Sequence, residues 1–209
     1  MMMGLRLLRA GVVAAAMSAL AGCGALTDAT TPLDVFVLEL PQDLPRRQGA
    51  PQARSVIIEV PTTGGALATD RILIQPTPLQ AQYLPGVSWT DPAPVLVQTL
   101  MVRALDATGA FDYVGRTPLG PGGDYAIVTE LVDFQAVLLP DGDSARIEVQ
   151  MVSRIVREQG IEIVASRTFT ASTLSPTLSD TDLVTAFNAA TAEVISDFAT
   201  WTLTRLGAI

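Results

Sequence analysis

Few residues of this chain can do chemistry: one cysteine, Cys23, 21 carboxylates and 13 basic residues, every one of them arginine, with no histidine. A Ser-His-Asp or Cys-His site would lack its base and a His-based zinc site its ligands. A P-loop and a Schiff-base site would both lack their lysine. What survives is carboxylate chemistry, an acid pair of the glycosidase kind or an all-oxygen metal site, so the placement of the acids decides. Asp141-x-Asp143 could open a calcium loop, but Ala145 stands at the next ligand position, Arg146 at the required glycine and Val152 at the closing glutamate. It reads as a polar hairpin tip. The cluster Gly120-Pro121-Gly122-Gly123 could cradle a phosphate, yet it has no lysine and leads into a strand rather than a helix, so it reads as loop. Asp180 and Asp182 fall at a helix start, where acids suit the dipole. No catalytic residue, cofactor or metal is assigned, and the chain reads as non-enzymatic.

Cys23 has a different chemistry in view. Arg6 and Arg9 precede an apolar stretch, Gly11 to Leu20, and small residues follow, the order of an export signal. That stretch is too short to span a bilayer, which takes roughly 20 apolar residues. Its ending, Leu20-Ala21-Gly22-Cys23, resembles the lipobox of bacterial lipoproteins, in which the thiol receives a diacylglycerol, the signal is cut before it, and the new amine is acylated. The alternative is an ordinary cleaved signal that happens to carry a cysteine. The lipobox reading divides the chain into a signal peptide (1–22), a lipidated tether (23–32) and a folded domain (33–209). Three acyl chains would anchor it durably. Gly24, where an aspartate would favour inner-membrane retention, points to the outer membrane, periplasmic face.

Without Arg6 and Arg9, 11 arginines face 21 acids, a net charge of −10. Scattered arginines on an acidic background argue against nucleic acid and against adsorption to anionic headgroups. With the lone cysteine committed to lipid there is no internal disulfide, and the domain must hold through its core alone.

The elements that would position any site read as follows. Leu33 to Leu40, Ser55 to Val60, Arg71 to Gln75 and Leu79 to Leu84 are strands separated by proline- and glycine-rich loops. Asp91-Pro92 opens a helix that ends at Gly109, with Val97, Met101, Ala104 and Leu105 on one face. Phe111 to Val114 is a short strand and Tyr125 to Leu139 a long central one. Asp141-Gly142 turns a hairpin. Past it, Ile147, Val149, Met151 and Ile155 point one way while Arg146, Glu148, Gln150 and Arg154 point the other, so one face is core and the other wet or covered by a partner. Glu158-Gln159-Gly160 turns into Ile161 to Ala171, and Ser179-Asp180 caps a last helix with the stripe Leu183, Phe187, Ala190, Val194, Phe198, Trp201. The predicted fold is α+β, a single domain with two main helices packed on a mostly antiparallel sheet.

The order of pieces from Leu33 onward carries a resemblance. Phe36-Val-Leu-Glu-Leu-Pro41, Val56-Ile-Ile-Glu-Val60 and Asp70-Arg71-Ile-Leu-Ile come first. Gln80-Ala-Gln-Tyr83, Trp89-x-Asp91-x-Ala93-Pro94 and Gly109-Ala-Phe111-Asp-Tyr-Val114 follow, then Asp124-Tyr125, Asp133-Phe134 and Trp201. Behind a lipobox, this series resembles the ABC-type transport auxiliary lipoprotein family, the PqiC-like lipoproteins of Mce-type lipid transport systems. The resemblance implies a non-enzymatic outer-membrane component that docks or couples a periplasm-spanning Mce-domain protein, served by an ABC ATPase and permease. A homo-oligomer is compatible with it, though no heptad or self-complementary patch demands one. Pro76, Pro78 and the stretch Gly86 to Ser88 depart from the pattern and bear on the partner contact. Amphipathic aromatics on a proline-rich connection suit an interface, which makes Tyr83 and Trp89 candidate partner contacts; for Trp89 the alternative is a core residue at the end of the first helix. Other functions left open are a structural lipoprotein assisting another outer-membrane complex, a carboxylate-dependent hydrolase and a lipid carrier.

Overall fold

Three long strands dominate the computed structural model, which describes residues 33–120 and 122–209. The signal, Cys23 and the tether lie outside the described residues. In chain order come β1 (Asp34–Phe36), β2 (Gln52–Ile58), β3 (Thr62–Thr63), β4 (Leu73–Thr77), β5 (Gln80–Tyr83), β6 (Val87–Trp89), α1 (Ala93–Ala107), β7 (Phe111–Gly115), β8 (Tyr125–Leu138), β9 (Ala145–Arg157), β10 (Glu162–Ser175) and α2 (Asp180–Arg205). Leu33–Ile209 forms one compact α+β unit.

β8, β9 and β10 make the antiparallel meander that the alternation and the two turn signals predict, joined through Asp141-Gly142 and Gly160. Ala145, Ile147, Val149, Met151 and Ile155 are buried along β9, while Arg146, Glu148 and Gln150 face outward. In β8 the inward set changes parity. Ile127, Thr129 and Leu131 are buried, then Phe134 and Ala136, because a bulge between Leu131 and Asp133 inserts one residue against β9.

The sheet as a whole is not mostly antiparallel. It is mixed and curled, and four of its seven strand pairings among the described residues are parallel. β2, β3 and β4 lie one after another along the second edge of β8 and run in its direction, pairing with Tyr125–Ile127, Glu130–Leu131 and Gln135–Val137. β7 pairs parallel to the far side of β2. The reason lies in the connections: the chain leaves β4 and β5, passes through α1, and re-enters the sheet in its original direction, as a crossover requires. The separate parallel pair β1–β6 lies outside this sheet.

α1 packs on β2 and β7, α2 on β9 and β10, and the two helices on each other. No side chain caps α1; Pro92 is its N-cap, and the Ala93 N–H donates to the Thr69 carbonyl at 3.0 Å. α2 begins as predicted, with Ser179 Oγ accepting the Asp182 N–H at 3.3 Å. Its far end would leave carbonyls unpaired. The Leu206, Ala208 and Gly207 N–H groups donate to those of Thr202, Leu203 and Thr204 at 3.0, 2.8 and 3.2 Å. Just past the helix, Arg54, Gln52 and Arg47 donate to the Leu206, Gly207 and Ala208 carbonyls at 2.5, 2.7 and 2.6 Å, tying the start of the sheet to the end of the described chain.

The core has two aromatic nodes. Trp89, Phe134 and Phe187 form one, with centroids 5.2 to 5.8 Å apart, and Phe169 forms the other with Phe198 and Trp201 at 6.0 and 5.4 Å.

Candidate functional site

The two predicted contact residues lie in different environments. Trp89 ends β6 at 2% exposure, edge-on to Phe187. It offers no surface to a partner in this fold, and the core alternative describes it. β6 itself, only three residues between Gly86 and the helix, has no periodicity by which a sequence could place its faces.

Tyr83 is on the surface, at 38% exposure, at the end of the β4–β5 hairpin. Pro76 and Pro78 sit where this hairpin turns away from β8: Leu73–Gln75 pair with β8, the register with β5 breaks between Ile74 and Thr77, and Leu79 at the tip is fully exposed. A proline cannot donate to a ladder, so the chain leaves the sheet there. All four residues of β5 are exposed, and among the described residues β4 is its only partner, which leaves its other edge open there. The Tyr83 ring is held in place. Its hydroxyl donates to the Ala66 carbonyl at 3.1 Å and the Arg71 guanidinium lies 5.4 Å from its centroid. Residue type singles out Tyr83 but not Arg71, which reads only as the start of a strand, or Leu79, which reads as the first residue of the Leu79–Leu84 strand and lies instead at the turn before β5. A short bond ties this hairpin to the start of the domain: the Gly86 carbonyl, three residues after Tyr83, accepts the Asp34 N–H at 2.9 Å.

A second feature was not anticipated. On the outer face of the meander, Asp133, Arg146, Glu148, Gln150, Thr170 and Ser172 line an open groove of about 340 Å³. The bulge brings Asp133 to this face, opposite Gln150 and diagonal to Glu148. Burial, and then the Glu148 charge, raise the Asp133 carboxyl above its ordinary value. Gln135 Nε2 donates to Asp133 Oδ1 at 3.2 Å, and Arg146 pairs with Glu148 at 3.2 Å. The groove offers two acids and no positioned nucleophile beyond them.

The loops weighed from sequence are internally satisfied. Asp141 accepts the Asp143 and Ser144 N–H groups and the Ser144 hydroxyl, which hold its carboxyl below the ordinary range. The Gly123 N–H donates to Glu158, and the Ser55 N–H and hydroxyl donate to Asp124, so carboxylates of the chain itself occupy the glycine-rich corner. Among the described residues no His, Cys, Asp or Glu cluster is arranged to hold a metal ion, and no helix is long and apolar enough to cross a membrane.

Three relatives bear on the fold. The structure is similar to the crystal structure of protein XCC0632 from Xanthomonas campestris, with a TM-score of 0.72 at 20% identity over 83% of this chain and 96% of that one. A second solved structure, an uncharacterized protein, aligns with a TM-score of 0.60 at 15% identity, over 82% of this chain and 99% of that one. In sequence, the chain is 30% identical over 197 residues to the uncharacterized protein bll6063 of Bradyrhizobium diazoefficiens, covering 88% of this chain and 49% of that protein. The chain thus spans about half the length of the curated relative it matches. Residues 36–199 match the model of one family across the whole arrangement described above, from β1 through most of α2. The chain belongs to the ABC-type transport auxiliary lipoprotein component family.

Proposed function

We propose that this protein is the lipid-anchored auxiliary component of a Mce-type ABC lipid transport system, held through Cys23 at the periplasmic face of the outer membrane. It docks or couples the periplasm-spanning Mce-domain protein there. The observation that carries the reading is the family match over residues 36–199, in a chain whose Cys23 closes a lipobox-like segment. Energy for transport would come from the ATPase partner, and this chain's part is positional: an anchor at one end and a rigid recognition surface at the other.

The β4–β5 hairpin is the candidate contact. It combines an open strand edge, an exposed apolar tip at Leu79 and an aromatic ring pre-oriented by Arg71, which suits strand addition with a side-chain anchor. A photo-crosslinking residue in place of Tyr83, in the full-length lipoprotein in cells, should give an adduct with a Mce-domain protein. The same residue in place of Asp141, at the hairpin tip between β8 and β9, should not. An adduct at position 83 with an unrelated outer-membrane complex would instead favour the structural-assembly reading.

A further inference from the structure

We propose that Leu33, Val35 and Val37 form an apolar row that seats the domain on the lipid surface carrying the Cys23 anchor. The inference rests on the reading of Cys23 as the lipidated residue. In extended backbone, alternate residues share a face. Here Leu33, Val35 and Val37 are 49%, 57% and 61% exposed, while the alternate residues run from exposed Asp34 through half-buried Phe36 to buried Leu38. Isolated exposed aliphatics need no explanation, but three at alternate positions of one extended segment, centred on Val35 of β1, do.

The row cannot turn inward. Asp34 N–H donates to Gly86, Thr90 N–H to Phe36 and Glu39 N–H to Asn188 Oδ1, at 2.9, 3.1 and 2.8 Å, fixing the strand on both sides of Val35.

What covers the row follows from its place in the chain. Nine residues, Gly24 to Pro32, separate it from Cys23. Even fully extended, the chain from Cys23 to Leu33 reaches about 35 Å, so in an anchored domain these side chains are never farther than that from the lipid. Three half-exposed aliphatics would bind lipid too weakly to recruit a free protein. Tethering makes the contact intramolecular, and weak contacts are then populated. Asp34 lies within this segment and Glu39 just past it, with no arginine beside them in sequence, so the contact is apolar rather than a charge attraction to anionic headgroups.

The test uses full-length acylated protein, in which the Cys23 sulfur is blocked as a thioether and an introduced cysteine is the only free thiol. An environment-sensitive fluorophore is attached to a Val35→Cys variant, and separately to an Asp141→Cys variant. Each is reconstituted into phosphatidylcholine vesicles with brominated acyl chains. Blue-shifted emission and loss of intensity at position 35, insensitive to salt and absent at position 141, is the expected result. If mass spectrometry shows Cys23 acylated and the protein floats with the vesicles, yet the label at 35 is unquenched, the seat is overturned while the anchor stands. A label shielded from aqueous iodide but untouched by bromolipid would also overturn it, in favour of a second copy or a protein partner covering the row. Unmodified Cys23 with no flotation would remove the anchor reading and this inference with it.

Discussion

Replacing Trp89 with alanine separates a core role from an interface role in one measurement. The side chain is 2% exposed and contacts Phe134 and Phe187 at centroid separations of 5.8 and 5.2 Å. Truncating a fully buried tryptophan or phenylalanine costs about 3–5 kcal/mol, with aromatic pairs worth roughly 0.5–1.5 kcal/mol each within that loss. For a domain of this size a change of 1 kcal/mol moves the melting temperature by roughly 2–4 °C, so Trp89→Ala should lower it by about 10 °C. It should also lower the urea midpoint with little change in slope. The assay is urea unfolding of the soluble domain followed by far-ultraviolet circular dichroism, with Trp201 as the remaining fluorophore. Trp89→Phe, which refills part of the space, should recover much of the loss. A shift below about 0.5 kcal/mol, the range of substitutions at exposed sites, would refute the core assignment and return Trp89 to the surface.

Other perturbations have definite signs. Tyr83→Ala should change stability by about 1 kcal/mol or less, since it removes one exposed hydrogen bond and one cation–π contact, while abolishing recovery of the partner in pull-downs. Asp133 has a carboxyl raised by burial and by Glu148, so its ionisation opposes folding. The penalty is absent below the unfolded-state value near 3.9, builds as pH rises toward the folded-state value, and is complete at neutral pH. Asp133→Asn should therefore raise the neutral-pH melting temperature slightly, with the gain vanishing in acid. Ser179→Ala removes the α2 cap and should cost about 1 kcal/mol, read as a lower urea midpoint. Cys23→Ala should leave the domain folded and lose it from the membrane fraction; retained anchoring would contradict the lipobox reading.

The parts of the fold legible in sequence were those with local signals. The period-2 burial of β9, the Asp-Gly turn before it, and the stripe from Leu183 to Trp201 behind a serine cap all read correctly because each is decided by neighbours in the chain. The direction of β2, β3 and β4 against β8 was not legible. These strands are seven, two and five residues long, broken by Pro61 and Gly64-Gly65, and nothing local distinguishes a hairpin partner from a strand that returns by crossover. The β8 bulge was equally hidden, since Val132-Asp133 continues a β-like run. Only pairing with Gln150 shows that the inward positions have changed parity. That one inserted residue also brings Asp133 to the groove. At the candidate contact, Tyr83 could be picked out by type, while its partner Arg71 depends on the bend of a hairpin. Trp89 shows the limit of reading by type, because the same amphipathic ring suits an interface or a core and only the packing decides.

The most direct test of the coupling role is cross-linking in intact cells followed by affinity purification of the tagged full-length lipoprotein and mass spectrometry of what accompanies it. A Mce-domain protein should be among the partners and be lost on Tyr83→Ala while the variant stays folded and membrane-bound. Recovery of an unrelated outer-membrane complex, with no Mce-domain protein present, would contradict it.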